Sequence, residues 1–568
     1  MNPIKKILLI NPPIQDFYQT EIRQQPLGLK YIQAVLDRAG YTTYLLDALA
    51  SPQKRTIPIP EPLSYLKTFY PPNDLSPFKL FTHYRHFGLS FDQIEAQLRS
   101  FQPDLIGISC NFTPYFDMAL ETARRCKMMM PLVSVVAGGH HATAVPFDVM
   151  NTGYFDFVIL GEGEERMLKL LAALMNNDSA ALKSIDGLAY RDQGRIVIHP
   201  SKSYIPNLDE LPLLELNDTM AMLITSRGCP KNCNFCSIAK VMGKKVRFRS
   251  IGMVLDEMEL GVKRGILHFD FEDDHLTADR DRARQLFQGI VERFSSYRLR
   301  LSAMNGLLAD SLDEDLIRVM KAAGFEWLNI PLVSGSPMIQ RRIARNQSYR
   351  HFSNVVRWAR KYGLKVVAYL IIGLPEDTLD QMLDDILFLA DLPVVIGPSV
   401  FYPPPGSLTF ENCVKQGYIS GTDFLLYRST ALPVETENFS RIDLITLFRL
   451  VRVINYLKQR MNADSRMGAS RKVSVAAGVP GERDPWIVER KLHPDEIGQI
   501  LLGQLVDCGR LRGMMLRGRS GNRYEYQWLD YEVNNDLIQR FLVRFQSGRL
   551  FREWHMRREK GYQISAIW

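Results

Sequence analysis

Three thiols stand within one short run, Cys229-Pro-Lys-Asn-Cys233-Asn-Phe-Cys236, in a chain that has 7 cysteines in all. An odd total with irregular spacing argues against a disulfide framework and for a reducing compartment, where clustered thiols bind metal or do chemistry. Thiolates at intervals of four and three residues suit a loop wrapped around an iron–sulfur cube. Such a cube has one more iron than this loop has cysteines, and the open iron can take a small molecule. The alternative is a three-cysteine zinc site completed by a distant histidine, although structural zinc usually takes four ligands from two paired knuckles. Cys110 and Cys126 read as packed thiols, and Cys413 and Cys508 are too isolated to build a second cluster.

The loop directly follows a strand, "AMLITS", that opens a series of six strand–helix repeats: "ILHFDFED", "LRLSAMN", "WLNIPLVS", "KVVAYLIIGLP" and "VVIGPSVFYPPPG" supply the others. Such a series fits an open or partial β/α barrel, which builds its sites at the C-terminal ends of its strands. Ahead of it, "KKILLINPP", "YTTYLLDA", "PDLIGISCNFTPY", "LVSVVAGGHHAT" and "FDFVILGEGEE" alternate with helical stretches, which implies a parallel sheet covered on both faces. Ligands of such sheets sit beyond the strands' carboxyl ends, here "NPP", "SCNFT", "GGHHAT" and "GEGE".

The fold class expected is therefore α/β: a Rossmann-like parallel sheet over residues 1–165, a linker over 166–217 carrying a hairpin at "RDQGR", a partial (β/α)6 barrel over 218–420, and a C-terminal α+β accessory domain over 421–568. Residues 51–90 read as an irregular insertion rich in proline and aromatics. "IDLITLFRLVRVINYLKQRM" reads as a helix, and the polar stretch after it as mobile. With 568 residues, 46% hydrophobic and 23% charged, the composition is that of a globular chain. No apolar run reaches the roughly 18–20 residues that span a bilayer, no signal-peptide pattern opens the chain, and a cytoplasmic location is expected. The net charge of +8 is compatible with anionic ligands and proves none. Arginine-rich stretches near the C-terminus read as a solvated face rather than a nucleic-acid site.

Cys229, Cys233, Phe235 and Cys236 match the CxxxCxxC signature of the radical S-adenosylmethionine (radical SAM) family, and the barrel that follows agrees with it. With the N-terminal sheet in front, the chain resembles the cobalamin-binding radical SAM enzymes, the class B methylases. The resemblance implies three cofactors: a [4Fe–4S] cluster on the three cysteines, S-adenosylmethionine chelated to the open iron, and cobalamin on the N-terminal sheet. Phe235, Glu272, Asp273, Asp274 and Ser334 are the S-adenosylmethionine candidates it implies. Relatives often carry an acidic residue where Val333 stands here, just before Ser334-Gly335. Asn11, Thr113, Gly138, Gly139 and His140 are the cobalamin candidates; glycines admit close backbone approach, and the polar side chains suit corrin amides. The DxHxxG motif is absent, since His86 in "HYRHFG" lacks the aspartate, so no histidine is assigned to cobalt.

The function implied is methylation of an unactivated carbon of a small-molecule or peptide substrate, through a 5′-deoxyadenosyl radical and methylcobalamin, with flavodoxin or ferredoxin as electron donor. A cyclase or rearrangement enzyme using the same cofactors is the near alternative. A non-catalytic cobalamin- or redox-sensing protein is the distant one.

Overall fold

The structure is a computed structural model; it describes residues 4–18, 25–216, 219–464, 486–488, 491–521 and 523–560. Five parallel strands, Thr42–Asp47, Lys6–Asn11, Leu105–Ser109, Ser134–Gly138 and Phe157–Ile159, lie side by side in that order. Ile7, Leu8, Leu9 and Ile10 are all fully buried, as a strand covered on both faces requires. Leu8 and Ile10 pack with the helices Phe91–Phe101 and Phe116–Met129, while Ile7 and Leu9 pack with Leu27–Arg38 and Glu164–Met175.

The hairpin expected within a separate linker corrects that division. Leu188–Asp192 pairs antiparallel with Phe157–Ile159, and Arg195–Ile198 pairs with Leu188–Asp192, so both strands extend the N-terminal sheet to seven. The physical reason is the bare edge of Phe157–Ile159, whose backbone groups need partners.

All six barrel strands form where the repeats place them. Ala221–Leu223, His268–Phe271 and Arg300–Ser302 make one parallel sheet; Trp327–Val333, Lys365–Ile372 and Val395–Val400 make another. A parallel bridge between Leu301 and Phe325 joins the two, giving an open barrel. Its last strand is covered by the helix Arg441–Asp464, whose Asn455 side chain accepts from the Ile396 N–H (3.0 Å) and donates to the Ile396 carbonyl (2.7 Å).

The C-terminal domain is α+β. It holds the sheet of Trp486–Val488, Arg523–Asp530 and Arg512–Ser520 with the helices Pro494–Cys508, Asn535–Gln546 and Arg549–Lys560. The stretch 465–485, read as mobile, lies outside the described residues. Arg512 pairs with Asp530 at 2.6 Å and stacks 5.7 Å from the Trp528 ring, while the exposed Arg517 lies 3.7 Å from Glu525. No described helix is long and apolar enough to cross a membrane.

The insertion at 51–90 is a fastener. Its strand Arg85–Phe87 pairs antiparallel with both Ile14–Asp16 and Lys54–Thr56 in a small three-stranded sheet, while Phe69, Tyr70 and Phe78 join the core of the barrel and C-terminal domain. Arg449 of the long helix, 1% exposed, donates to the Phe69 and Phe78 carbonyls at 2.8 and 3.2 Å and stacks 3.5 Å from the Tyr531 ring. Replacing Arg449 with Leu should cost about 3–5 kcal/mol, the usual cost of leaving a buried polar cluster half-built. The expected sign is an earlier urea midpoint followed by the fluorescence of the Trp528 region, and an unchanged midpoint would show that the insertion is held by its aromatics alone.

Candidate functional site

The first barrel strand leads into Ser226–Arg227, which pairs antiparallel with Arg247–Phe248 and closes a loop around the three cysteines. Gly228 begins the loop at φ +93°, where a Cβ would lie 2.5 Å from the Lys245 carbonyl oxygen, so only glycine fits. Its N–H donates to Asp274 Oδ2 at 2.8 Å. The Cys229 N–H reaches the Gly243 carbonyl at 3.3 Å, and the Cys236 N–H the Cys233 carbonyl at 3.1 Å. Cys229 is buried, Cys233 half-buried and Cys236 exposed, and all three line one cavity of about 1410 Å3. Among the described residues no three His, Cys, Asp or Glu side chains converge on a single metal ion. Three cysteines on one cavity wall suit a multi-iron cube, in which each thiolate takes its own iron.

The three acids after the second strand have separate situations. Asp273, 1% exposed, accepts from the Thr225 N–H (3.1 Å), the Thr225 hydroxyl (2.8 Å) and the Ser226 hydroxyl (2.5 Å). It therefore braces the end of the first strand. Glu272 accepts from Asn305 at 3.2 Å, and Asp274 holds the Gly228 N–H; all three acids line the cavity, and burial pushes the Asp274 carboxyl up to about 6. Phe235 also lines it.

Ser334 does not reach the cavity. The fourth strand shifts register between Pro331 and Val333, and Val333 takes φ +63°, which turns the chain at the strand's end. Ser334, 1% exposed, then accepts from the Ser336 N–H at 3.2 Å, and its carbonyl accepts from Gln340 at 2.8 Å.

On the opposite wall stand Asn11, Thr113, Gly138, Gly139 and His140, at the carboxyl ends of three parallel strands. Gly139 has φ +120°, and a Cβ there would lie 2.8 Å from the Cys110 carbonyl oxygen. Asn11 is oriented by Asp47 (2.7 Å), and the His140 N–H by Asn111 (3.3 Å). Two adjacent histidines in a glycine turn also read as an exposed pair, and the structure corrects that reading. They open the helix His140–Ala144, where His140 lies in the cavity and His141 is buried between Phe116 and Phe424, ring centres 4.5 and 4.7 Å away. His141 Nδ1 meets Thr113 Oγ1 at 3.2 Å. Burial lowers His140 to about 4 and His141 to about 3, so both are neutral at ordinary pH. His86 is buried against the Leu89 carbonyl (3.0 Å), away from this wall.

Sequence reasoning missed what holds the walls together. Glu162 and Glu164, in the "GEGE" loop, pair with Arg227 at 2.9 and 2.6 Å; Arg247 joins Glu162 at 2.8 Å. All four are buried. On the far side Asp16 accepts from Tyr115 (2.7 Å) and Thr430 (3.1 Å) and faces Arg428 at 3.4 Å, while Arg428 also donates to the Gln15 and Pro114 carbonyls at 2.7 and 2.6 Å.

Residues 223–389 match the Radical SAM superfamily, and residues 81–171 match the B12 binding domain family. The cytidylyl-2-hydroxyethylphosphonate methyltransferase of Streptomyces wedmorensis is 27% identical over 477 residues, 75% of this chain and 84% of that protein. Among solved structures, the radical S-adenosylmethionine methyltransferase TsrM of Kitasatospora setae, with tryptophan and a SAM analogue bound, shares the fold at TM-score 0.57 and 18% identity, over 72% of this chain and 76% of that one. The cobalamin-dependent radical enzyme OxsB, with aqua-cobalamin and S-adenosylmethionine bound, does so at TM-score 0.60 and 14% identity, over 99% and 82%. A radical SAM barrel with a B12-binding sheet ahead of it is thus the class that fold and site define. The chain carries a Radical SAM domain behind a B12 binding domain, and the cofactors these domains take are a [4Fe–4S] cluster with S-adenosylmethionine, and cobalamin.

Two substitutions probe the geometry. Gly139→Val would impose left-handed strain of about 1–3 kcal/mol and a backbone clash. It should weaken cobalamin binding by about tenfold or more in equilibrium dialysis while leaving the iron content intact; unchanged affinity would place the corrin elsewhere. Arg227→Leu strands the buried Glu164 carboxylate and leaves Glu162 to Arg247 alone; it should cost about 3–5 kcal/mol, read as a lower unfolding temperature of the cofactor-free chain.

Proposed function

We propose that this enzyme moves a methyl group from S-adenosylmethionine, by way of cobalamin, to an unactivated carbon of a small-molecule substrate. The observation that carries the reading is the shared cavity: the cysteine loop and the polar ends of the N-terminal strands face one space of about 1410 Å3. That exceeds the roughly 300–1,000 Å3 of an ordinary ligand pocket, as a site for several large ligands must. The named activity of the Streptomyces wedmorensis relative and the tryptophan bound to TsrM point the same way.

In this reading residues 1–165 hold cobalamin and 218–420 hold the cluster and S-adenosylmethionine. Cys229, Cys233 and Cys236 hold the irons. Glu272 and Asp274 offer carboxylates to a ligand amine, and Phe235 lines the same cavity; Asp273 lines it too but spends its carboxylate on Thr225 and Ser226, while Ser334 acts behind the wall. Asn11, Thr113 and the neutral His140 offer hydrogen bonds to corrin amides, and Gly138 and Gly139 let the ring approach the backbone. Phe112, Tyr18 and Tyr402, each with a large exposed apolar face in the cavity, give a substrate an aromatic wall that excludes water. Bound there, the cluster with S-adenosylmethionine supplies the 5′-deoxyadenosyl radical and cobalamin carries the methyl group. An external donor of the flavodoxin or ferredoxin type, in the cytoplasm, supplies the electrons.

The reconstituted protein should hold about four irons and one cobalt per chain. Given reductant and methyl-labelled S-adenosylmethionine, it should form S-adenosylhomocysteine and place the label on cobalamin. Cleavage to 5′-deoxyadenosine with no S-adenosylhomocysteine at all would rule out methyl transfer and favour a cyclase or rearrangement chemistry.

A further inference from the structure

A second cavity, of about 350 Å3, opens between the 51–90 insertion and the C-terminal sheet. Its size is that of a pocket for one small ligand. Lys79, Thr82, His83 and Arg85 of the insertion line it, with Leu516 of the strand Arg512–Ser520 across from them.

The run "FKLFTHYRHF" aims these side chains by anchoring their neighbours. Phe78 and Leu80 are buried on either side of Lys79, and Tyr84 and His86 on either side of Arg85. Successive side chains of an extended chain point to opposite faces, so His83 and Arg85 share the face that Tyr84 and His86 leave. Arg85 is fixed further by the pairing of its strand with Ile14–Asp16 and Lys54–Thr56. His83 Nδ1 meets the Thr82 hydroxyl at 2.9 Å.

The cations gathered here lack a counter-charge. Among the described residues no carboxylate lies within ion-pair distance of Lys79 or Arg85. Asp74 is the one acid among the described lining residues, and its carboxylate is taken. It accepts from the Ser76 N–H (2.8 Å) and the Tyr531 hydroxyl (2.5 Å), with Arg449 3.9 Å away. Elsewhere the chain pairs its half-buried arginines, as Arg125 with Glu95 at 2.6 Å and Arg293 with Asp256 at 2.7 Å. Lys79 and Arg85 are half-buried too, and like charges held beside one cavity repel more strongly there than in open solvent. A bound anion removes that cost.

We propose that this cavity is an oxyanion site that takes a phosphoryl group, carried on a small molecule or as free phosphate. The guanidinium offers a planar pair of N–H donors, the lysine a point charge, and the imidazole and hydroxyl further hydrogen bonds. Leu75 and Leu516, each 36% exposed, give an organic body an apolar flank. The site also touches the larger cavity. Arg85 Nη1 donates to the Tyr18 carbonyl at 3.3 Å, and Tyr18 lines that cavity. The inference is independent of the reaction carried out there.

The test is equilibrium dialysis of labelled inorganic phosphate against the reconstituted full chain at low ionic strength. The wild type should bind about one phosphate per chain, and more weakly as chloride rises. Lys79→Met and Arg85→Met should each weaken binding by about tenfold, the usual loss for one charged hydrogen bond, with iron and cobalt content unchanged. Arg85→Lys should recover part of the affinity. Absence of saturable binding in the wild type overturns the proposal, as does unchanged affinity in both Met variants. So does displacement of phosphate by saturating cobalamin or S-adenosylmethionine, because the anion would then sit in the larger cavity. Should Arg85→Met fail to fold through its contact with Tyr18, Lys79→Met decides alone, since its side chain bonds none of the described residues. Adenosine diphosphate separates the two sources. Binding tighter than phosphate and weakened by Lys79→Met assigns a larger phosphorylated ligand, and binding no tighter assigns free phosphate; either supports the site.

Discussion

The rest of the structure depends on a buried ion cluster between two domains. Glu162 and Glu164 belong to the loop that ends the last parallel strand of the N-terminal sheet; Arg227 and Arg247 belong to the pair of short strands that closes the cysteine loop. Arg227 stands two residues before Cys229, so the salt bridges fix the cysteine loop against the wall formed by the N-terminal sheet with almost no intervening chain. Burying such charges is costly, and well-packed apolar residues would serve stability as well or better. What apolar packing lacks is direction. A guanidinium that must satisfy two carboxylates at once allows one relative placement of its neighbours, and a site whose ligands must meet across a cavity needs that uniqueness.

A second set of fasteners closes the opposite side. Asp16 and Arg428 are both buried, and Arg428 bonds backbone carbonyls from two loops of the N-terminal domain while belonging to the segment after the barrel. Behind it, the insertion at 51–90 gives its aromatics to the barrel's core and its carbonyls to Arg449. The cavity is thus enclosed from both sides by polar contacts that cross domain boundaries, and its walls are apolar enough to exclude water once ligands fill it. Electrostatic interactions inside such a space are stronger than in solvent, which suits chemistry carried by charged cofactors.

What the sequence made legible was local. The three thiols are a motif because their spacing alone suits the chemistry, and they sit after a strand that periodicity identifies. The strand ends Asn11, Gly138 and Gly139 were legible because a parallel sheet announces where its ligands lie. Contacts between distant residues were not: Glu162 and Arg227 are 65 positions apart, and nothing near either names the other. Asp273 shows the same limit at finer grain. It stands between two acids that face the cavity, yet its carboxylate is taken by Thr225 and Ser226. Ser334 was misplaced because a bulge at Pro331–Val333 leaves no mark in a pattern of apolar residues. The hairpin at Leu188–Ile198 is legible as a hairpin, but the sheet edge it covers shows only in the tertiary structure.

Backbone strain shows where the fold yields to the site. Among the described non-glycine residues with positive φ, Gln102 caps a helix, Asn177 follows one and Gln193 lies in a hairpin turn, places where a polar residue adopts this conformation readily. Ala344 also follows a helix, Pro337–Arg342, and Leu432 caps the short helix Ser429–Ala431, but like Val333 both are apolar residues with no side-chain hydrogen bond to offer the turn. Val333 turns the fourth barrel strand away from the cavity, Ala344 presents Arg345 to Cys233, and Leu432 follows the segment that carries Arg428 to the N-terminal loops. A β-branched residue in this region is the least expected of the three. Strain persists only where surrounding contacts over-determine it, and here the contacts are those that hold the cavity wall: Asp385 on the Gly335 N–H, Gln340 on the 343–347 turn, and Arg441 on the Leu432 carbonyl. The conformations least favoured by the chain therefore lie next to the groups on which the cavity depends, which is the distribution expected if rigidity there is a requirement of the chemistry rather than a by-product of packing.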